Sequence, residues 1–402
     1  MFGPRYYVRV SFYFSFDSVF LLWKKIARKK KETSNAAELR ELLIVKLDAA
    51  GDYVLFRNFL SSIRHSKRFS GYRITLCGNE MWKDLALDLD SGNVDEFLWI
   101  NRADFKSSLR YRWSVLSTIS DRIYDVVFQP VVSREFLYGD PIVRIAEAKY
   151  KIGVRSDTVA SSRIAKCISN TFYDELLSPL PRTTFEFLKN RDLVEKFLSE
   201  ETGLKRPSME IRDKRKGLAL PEEAFAVIFP GAGTKWRRWS SKNFAVVARH
   251  LLDAYGLEIA ILGGASDLVH ANEIRSSLND AAVHDYCGQL SLADLPYLFS
   301  KATLAVVNDT IALHIAISVG CPVVCVSNGN SYLRFVPYPE SWNVPARFIF
   351  HPTVLNRIER SSKQYVPGSE WSKLDIDKIQ PQSVMKAIDE MMSQIEERSD
   401  EK

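Results

Sequence analysis

Residues 225–239 have the sequence FAVIFPGAGTKWRRW, in which five apolar residues are followed by a basic loop with two glycines. The run Phe225–Phe229 predicts a buried strand, because a short apolar run that ends at Pro and Gly is typical of strands in parallel sheets. The next stretch, Ser241–Tyr255, predicts a helix. A strand, a loop and a helix in this order form the repeating unit of a parallel α/β sheet.

The same alternation continues on both sides of this stretch. After it, we predict strands at Leu257–Leu262, Ala281–Tyr286, Thr303–Val307 and Pro322–Val326, and helices at Ser291–Ala302 and Thr310–Val319. Before it, we predict strands at Leu42–Leu47, Arg73–Cys77, Arg122–Phe128 and Lys149–Val154, and helices at Asp52–His65 and residues 184–201. Right-handed crossovers between such strands produce doubly wound parallel sheets, so the predicted fold class is α/β.

Two domains are expected, since 402 residues exceed what one hydrophobic core usually organises. The stretch Thr202–Pro221, which contains prolines, glycines and several basic residues, predicts the linker. The predicted organisation is a basic, aromatic N-terminal segment (1–35), a first α/β domain (36–205), a second α/β domain (206–375) and a C-terminal helix (376–402) that could pack back on the first domain. Ligands are expected in a cleft between the two domains, at the carboxyl ends of the strands.

The positive charge of the chain is concentrated at its N-terminus. The whole chain has 55 basic and 49 acidic residues, a net charge of 55 − 49 = +6. Residues 1–31 contain eight Lys or Arg and one acid, Asp17, a net charge of 8 − 1 = +7, so the other 371 residues sum to −1. A nearly neutral body argues against a nucleic-acid-binding protein, which would spread basic charge over one face of its fold.

The cysteine and histidine content argues against two further classes of protein. The five cysteines form no C-x-x-C pair, so neither a disulfide scaffold nor a structural zinc site is expected. Six histidines offer little material for a histidine-rich metal centre. We therefore expect no metal site.

The N-terminal segment combines aromatic and basic residues. Its apolar stretch, Val10–Trp23, is too short to span a bilayer and contains Asp17. A secretory signal has its basic residues before its apolar run, which is the reverse of the order found here. Aromatic residues beside the basic run Lys24–Lys31 favour attachment to the surface of an anionic membrane. A solvated terminus and an extra helix packed on the body are the two alternatives.

The loop after Phe229 has the composition of an anion site. Its glycines free the backbone to approach a ligand, and its cations offer charge to a phosphate. The candidate binding residues are Gly231, Gly233, Thr234, Lys235, Arg237 and Arg238. Trp236 excludes both a dinucleotide fingerprint and a P-loop, because each would need glycine at that position. A surface turn with solvated cations is the alternative.

A second candidate segment, Asn308–His314, opens a helix directly after a predicted strand. Thr310 and His314 are four residues apart, so they share one face of this helix. The helix N-terminus suits a phosphate. Asp309 would repel a phosphate there, so we expect it to accept hydrogen bonds from sugar hydroxyls or to cap the helix. The alternative is a plain helix cap with a satisfied core histidine.

A third candidate follows the first predicted strand and contains Asp48, Gly51 and Asp52, the last of which begins the next helix. A carboxylate opposite a cationic phosphate site fits a sugar transfer, which needs a base on the acceptor and charge stabilisation on the leaving group. The alternative is a helix cap, and Asp48 competes with Asp52 for either role.

Together, these segments resemble glycosyltransferase family 9, the heptosyltransferase family of lipopolysaccharide assembly. The matching segments, in their order along the chain, are Leu43–Asp52, Pro230–Phe244, Gly288–Leu295 and Asp309–His314. The likeness extends over roughly residues 40–340. It implies the GT-B fold with two Rossmann-like domains, in which the first holds the acceptor and the second holds a nucleotide-diphosphate sugar.

The resemblance also implies a mechanism, an inverting and metal-independent single displacement. Asp52 would act as the general base, and Arg237 would stabilise the departing diphosphate. On the donor side, Asp309, Thr310 and His314 would contact the sugar and phosphates, and Asp267 would hold the ribose. The implied acceptor is a lipopolysaccharide or another surface glycan at the inner face of the cytoplasmic membrane.

Two residues depart from the family pattern. Ile311 stands where the family has glycine, which narrows the approach to the helix N-terminus, and Arg237 replaces a lysine, which changes a point cation into a planar fork. Both departures argue against ADP-heptose, the usual donor of the family, as the donor of this protein. Two other functions remain open, a nucleotide-sugar epimerase or hydrolase of the same fold and a non-catalytic, membrane-tethered protein that binds nucleotide sugars.

Overall fold

The computed structural model describes residues 2–28, 40–157, 159–212, 220–360 and 374–400. The chain forms two compact units. Unit 1 comprises Met1–Leu180 and Leu188–Leu204, and unit 2 comprises Pro181–Phe187 and Lys205–Lys402. The N-terminal segment therefore belongs to unit 1, and the C-terminal helix belongs to unit 2.

The described part of unit 1 contains one parallel sheet. Its strands are β1 (Glu41–Lys46), β2 (Arg73–Asn79), β3 (Glu96–Ile100), β4 (Ile123–Phe128), β5 (Glu147–Val154) and β6 (Glu175–Leu177). Their order in the sheet is β3-β2-β1-β4-β5-β6. Residues 42–46 of the central strand β1 are all buried, as expected for a strand with both faces covered.

The helices of unit 1 lie between these strands and at both ends of the unit. They are α1 (Pro4–Arg28), α2 (Ala50–Val54), α3 (Asn58–His65), α4 (Lys83–Asp90), α5 (Arg102–Ser107), α6 (Leu109–Ser120), α7 (Gly139–Ile145), α8 (Arg163–Asn170) and α9 (Glu186–Leu198). The first two residues of α9 are counted with unit 2.

Unit 2 repeats the topology of unit 1. Its strands are β7 (Phe225–Phe229), β8 (Glu258–Ile261), β9 (Val283–Asp285), β10 (Leu304–Asn308), β11 (Val323–Ser327) and β12 (Ala346–Phe350), in the order β12-β11-β10-β7-β8-β9. The strand order reverses between β1 and β4 in unit 1 and between β7 and β10 in unit 2. Ligands of doubly wound sheets bind beyond the carboxyl ends of the strands at such a reversal.

The helices of unit 2 are α10 (Ser241–Tyr255), α11 (Leu268–Leu278), α12 (Leu295–Lys301), α13 (Ile311–Ser318), α14 (Pro352–Arg360) and α15 (Pro381–Asp400). The C-terminal helix α15 packs on α10, and its buried Val384 and Ile388 share one hydrophobic core with Val247 and Leu251. Its apolar face completes the core of unit 2. This corrects the expectation that the C-terminal helix packs back on the first domain.

Two predicted helices are each divided in the structure. The predicted helix Asp52–His65 is α2 followed by α3. At their junction the N–H groups of Phe56 and Phe59 donate to carbonyls three residues earlier, whereas those of Leu55 and Arg57 donate to carbonyls four residues earlier. Tyr53 and Arg57 both bind the buried carboxylate of Asp90, which holds the chain at this junction. The predicted helix Ser291–Ala302 begins as a 3-10 turn, and α12 starts with Pro296 in its first turn, where proline is tolerated.

The N-terminal segment is a helix packed on the body of unit 1, which was one of the three alternatives. Asp17 in α1 forms two hydrogen bonds with Arg112 in α6, with Oδ1–Nε and Oδ2–Nη2 distances of 2.8 and 2.6 Å. Phe20 is fully buried in the core of unit 1. The basic residues Lys29–Lys31 lie outside the described residues. Among the helices that the structure describes, none has the length and apolar content needed to cross a membrane.

Candidate active site

Two asparagines hold the loop after β7 against the ends of β10 and β11. Asn308, fully buried at the end of β10, donates to the Pro230 carbonyl (2.8 Å) and accepts from the Trp239 N–H (3.1 Å). Asn328, just after β11, donates to the Trp236 carbonyl (2.8 Å). The basic loop is therefore fixed at the reversal of the strand order, where a ligand is expected.

Gly231 lies directly against the carboxylate of Asp267. A Cβ at residue 231 would be 2.4 Å from Asp267 Oδ2, so glycine is required while the carboxylate keeps this place. Asp267 is buried, and its Oδ2 accepts a hydrogen bond of 3.0 Å from the Gly264 N–H. The structure thus brings together Gly231 and Asp267, which were assigned separately, from the sequence, to the phosphates and the ribose of the donor.

Arg237 joins the loop to the start of α13. Its Nη1 donates to the backbone carbonyl of Asp309 at 3.2 Å, and Gly233 lies close enough that a Cβ there would be 3.3 Å from Arg237 Nη2. Thr234 and Lys235 are exposed at the tip of the loop. Arg238 differs from these residues, because its Nη2 donates to the Ala232 carbonyl (2.9 Å) within the loop. Arg237 is therefore the cation that the fold positions beside the helix.

Asp309 is buried and accepts hydrogen bonds from two serines. Its Oδ2 accepts from Ser327 Oγ at 3.2 Å and also from Ser331 Oγ. Thr310, at the position before α13, directs its hydroxyl to the Asn308 carbonyl (3.4 Å), and no side chain caps this helix end. Neither Asp309 nor Thr310 therefore caps α13. The Asp309 carboxylate is oriented by the last residue of β11 and by the loop after it.

His314 is the third buried polar residue of the segment Asn308–His314, after Asn308 and Asp309. Its Nδ1 lies 2.8 Å from the hydroxyl of Tyr338, and the residue is 3% exposed. Burial, with a smaller contribution from the positive charge of Arg237, lowers the pKa of His314 to about 3. The imidazole is therefore neutral at physiological pH and acts as a hydrogen-bonding group rather than a cation.

The other family-like positions of unit 2 are structural. Trp239 and Phe244 pack edge to face in the core with ring centres 5.1 Å apart, and Trp239 Nε1 donates to the Ile379 carbonyl (3.0 Å). In the segment Gly288–Leu295, Asp294 Oδ2 accepts from the backbone N–H and the hydroxyl of Ser291 at 2.6 and 2.7 Å. These residues shape the unit and lead into α12.

In unit 1, Asp48 and Asp52 follow β1 in different surroundings. Asp48 Oδ2 accepts from Lys46 Nζ at 2.7 Å, and Lys46 is buried, with a second contact of 3.4 Å to the Pro130 carbonyl after β4. Asp52 lies in the first turn of α2, beside Gly51, and is partly buried. The two carboxylates therefore differ in position, since Asp48 lies in the loop after β1 in an ion pair with a buried lysine and Asp52 lies in the helix that follows.

A pocket of about 470 Å³ lies at the ends of β1, β2 and β3. It is lined by Ala49, Asn79, Glu80, Met81, Asn101, Arg102 and Ala103. Arg102 donates to the Leu47 carbonyl (3.0 Å) and to Glu135 Oε1 (2.6 Å). Burial, together with the negative charge of Asp48, raises the pKa of Glu135 despite its pairing with Arg102. This polar pocket was not predicted from the sequence, because β3, the strand that precedes Asn101 and Arg102, was not predicted.

Residues 113–348 match the sequence profile of glycosyltransferase family 9 (heptosyltransferase). This match spans more than half of the chain. The chain belongs to glycosyltransferase family 9. The resemblance recognised in its motifs is confirmed, and the protein is a glycosyltransferase that transfers a sugar from a nucleotide sugar. No curated protein matches the chain at a significant level.

Solved structures of low sequence identity share this fold. A family 9 glycosyltransferase from Veillonella parvula is 17% identical with a TM-score of 0.67, and the match covers 90% of this chain and 100% of that one. The E. coli heptosyltransferase WaaC, solved with ADP, is 14% identical with a TM-score of 0.65 and covers 87% and 99%. E. coli ADP-heptose lipopolysaccharide heptosyltransferase II is 16% identical with a TM-score of 0.60 and covers 89% and 99%. The predicted GT-B-like α/β fold is confirmed.

Within the described ranges, no group of three or more His, Cys, Asp or Glu side chains could hold a metal ion.

Proposed function

We propose that this protein is an inverting, metal-independent glycosyltransferase that moves a sugar from a nucleotide-diphosphate sugar to a lipopolysaccharide or another surface glycan. In this proposal, unit 2 binds the donor and unit 1 binds the acceptor. The observation that carries the proposal is the convergence of Asp267, Gly231, Arg237 and Asp309 at the strand reversal of unit 2. These residues are up to 78 positions apart in sequence, and a doubly wound sheet binds nucleotides where they meet.

Each of these donor-side groups suits one part of a nucleotide-diphosphate sugar. We assign the Asp267 carboxylate to the ribose hydroxyls, from which it would accept hydrogen bonds as an acid does in dinucleotide-binding sheets. The backbone of Gly231, Gly233 and Thr234 can approach the phosphates closely, with Lys235 and Arg237 supplying positive charge. We assign Thr310 to the phosphates. Asp309 and the neutral His314 carry no positive charge that would attract a phosphate, so we assign both to the hydroxyls of the donor sugar.

The proposed reaction is a single displacement. The acceptor hydroxyl oxygen attacks the anomeric carbon from the face opposite the diphosphate, the bond between that carbon and the phosphate oxygen breaks, and the configuration inverts. Asp52 takes the proton of the hydroxyl as general base. Arg237 stabilises the negative charge that develops on the departing nucleoside diphosphate.

We assign the base to Asp52 because it occupies the position that the family resemblance implies for the base, in the first turn of α2 beside Gly51, where it is only partly buried. The pocket beside Asp48 and Gly51, with Asn79, Asn101 and Arg102 in its wall, is the candidate acceptor site. Its amide and guanidinium groups suit the hydroxyls and carboxylates of a glycan.

Two matched substitutions test the assignment of the base. Asp52→Asn should lower kcat about 10²–10⁴-fold, the usual contribution of a general base, and should leave donor binding unchanged. Asp48→Asn should change kcat less, since the amide retains the volume of the side chain. Because Lys46 is buried, loss of the ion pair should lower the free energy of unfolding, which denaturant titration measures. Calorimetric titration with ADP-, GDP-, UDP- and dTDP-sugars identifies the donor, and product analysis with acceptor then measures kcat.

A wild-type rate of transfer by Asp52→Asn would exclude Asp52 as the base. Turnover of the donor in the absence of any acceptor would instead identify an epimerase or a hydrolase. Donor binding without turnover under either condition would identify a binding protein.

A further inference from the structure

The helix α1 has two apolar faces, and only one of them is covered. Its inward face is buried against unit 1 through Val10, Tyr13, Asp17 and Phe20. Its outward face carries large apolar side chains that are more than half exposed. They are Val8 (69%), Phe12 (52%), Val19 (61%), Leu22 (61%) and Ile26 (64%).

These outward residues form one stripe along the helix, because they are separated by three, four or seven positions. The stripe extends from residue 8 to residue 26, which is about 27 Å at 1.5 Å per residue. Folded proteins seldom leave an apolar stripe of this length open to water unless it contacts another body. The outward face of α1 is therefore an interaction surface.

The charges of α1 indicate what this surface contacts. Arg5, Arg9 and Lys25 are exposed and flank the apolar stripe. Asp17, the only acidic residue of α1, faces inward and is paired with Arg112. A second copy of the chain would bring cations against cations. An anionic lipid surface instead accepts apolar side chains at its acyl boundary and cations among its headgroups.

A groove beside α1 continues this surface toward the candidate acceptor site. It has a volume of about 720 Å³ and is lined by Val8, Arg9, Phe12, Tyr13, Ala103, Lys106, Ser107 and Tyr138. Its wall combines apolar residues with two cations, Arg9 and Lys106, as the outward face does. Ala103 also lines the pocket at the strand ends, and the Arg102 guanidinium lies 4.1 Å from the ring centre of Tyr138, between the two.

We propose that α1 is a membrane-docking helix that lies in the interface of an anionic bilayer. Val8, Phe12, Val19, Leu22 and Ile26 enter the acyl boundary, and Arg5, Arg9, Lys25 and Lys106 contact lipid phosphates. A consequence, which rests on the proposed function, is that a lipid-linked acceptor reaches the strand-end pocket from the membrane along the groove beside α1.

The test is co-sedimentation of the full chain with vesicles of phosphatidylcholine, with and without phosphatidylglycerol. Wild type should bind the anionic vesicles. The combined variant Val8→Gln, Phe12→Gln, Val19→Gln and Leu22→Gln should lose this binding. The variant Arg5→Gln, Arg9→Gln and Lys25→Gln should bind about a hundredfold more weakly, since each cation near an anionic leaflet contributes about fivefold.

Matched variants of unit 2 are the controls. Val246→Gln, Leu268→Gln, Val269→Gln and Leu355→Gln change four other exposed apolar residues. Arg275→Gln, Lys301→Gln and Lys386→Gln change three other exposed cations. Both control variants should bind vesicles as wild type does. Circular dichroism of every variant establishes that it is folded.

Equal vesicle binding by wild type and by the combined variant of Val8, Phe12, Val19 and Leu22 (the outward-face variant) would overturn the proposal. Absence of vesicle binding by wild type would also overturn it, and so would a dimer in solution that the outward-face variant abolishes. Titration of the same variants with nucleotide sugars distinguishes this failure from that of the proposed function, because donor binding is assigned to unit 2. A variant that loses vesicle binding but still binds the donor shows that the substitutions affect the membrane contact of α1 and not the donor site of unit 2.

Discussion

Single residues at the strand reversal of unit 2 owe their chemistry to neighbours that are distant in sequence. His314 is kept neutral by burial and by the nearby Arg237, and it is oriented by the hydroxyl of Tyr338. The carboxylate of Asp309 is directed by Ser327 and Ser331. Both residues are thereby preorganised as hydrogen-bonding groups, so that, in the proposed function, binding of the donor sugar would need to order fewer side chains.

The lowered pKa of His314 predicts a pH dependence of stability. Below about pH 6.5 the unfolded chain protonates this histidine, whereas the folded protein does not until about pH 3. The free energy of unfolding should therefore fall as the pH decreases from about 6.5, by up to about 1.4 kcal/mol per pH unit from this residue. His314→Gln should reduce that slope, as measured by urea unfolding between about pH 6.5 and 4.5.

His65→Gln is the control for this measurement, since His65 is exposed. It should keep the slope of the wild type. If the free energy of unfolding changed with pH equally in wild type and His314→Gln, the folded protein would protonate His314 as readily as the unfolded chain does, which would contradict the prediction.

At the scale of elements, α1 is fastened to unit 1 by a buried ion pair. Asp17 and Arg112 are both buried, and two short hydrogen bonds join them. Removing one partner of such a pair leaves the other charge buried without compensation, which is far more costly than losing a surface pair. The ion pair therefore determines which face of α1 turns inward, although both faces are apolar.

Asp17→Ala should lower the free energy of unfolding by about 3–5 kcal/mol. Asp121→Ala is the matched control, because Asp121 pairs with Lys24 at the other end of α1 and is 66% exposed. That control should change stability by less than about 1 kcal/mol. Denaturant titration compares the two variants, and equal losses would contradict the role assigned to the buried pair.

At the scale of the whole molecule, two units with the same strand order have different polar groups at their strand reversals. Unit 2 presents cations and glycines, as a diphosphate requires, whereas unit 1 presents two aspartates and a polar pocket. In the proposed function, the same topology thus supplies two binding sites of different chemistry, because loops after strands are where functional residues are usually found.

Because Arg237 and Lys235 are assigned to the charge of the diphosphate, chelation should not reduce activity. The rate of sugar transfer should be the same before and after treatment with EDTA, whereas Arg237→Gln should lower kcat about 10²–10³-fold. A loss of activity on chelation that Mg²⁺ restores would assign part of this role to a metal ion and contradict the proposed mechanism.

Much of the central architecture could be predicted from sequence. The strands β7 and β1 are nearly continuous apolar runs, a pattern typical of strands that are covered on both faces of a sheet. The edge strands β3, β6 and β12 were not predicted. The sequence of β3 contains the apolar run Phe97–Ile100, which could have marked it as a strand, although its side chains are mostly half-buried, whereas β6 has only three residues.

The sequence by itself determined the α/β alternation, the order of the family motifs and the candidates Asp52, Arg237, Asp309 and His314, because each depends on residues that are close together in the chain. Only the tertiary structure decided which groups touch. Tyr338, Ser331 and the pair Arg102–Glu135 lie 22 to 33 residues from their partners, and burial and hydrogen bonding across the sheet bring them together. The outward face of α1 was likewise decided by the Asp17–Arg112 pair, since an apolar pattern on both sides of a helix leaves its orientation open.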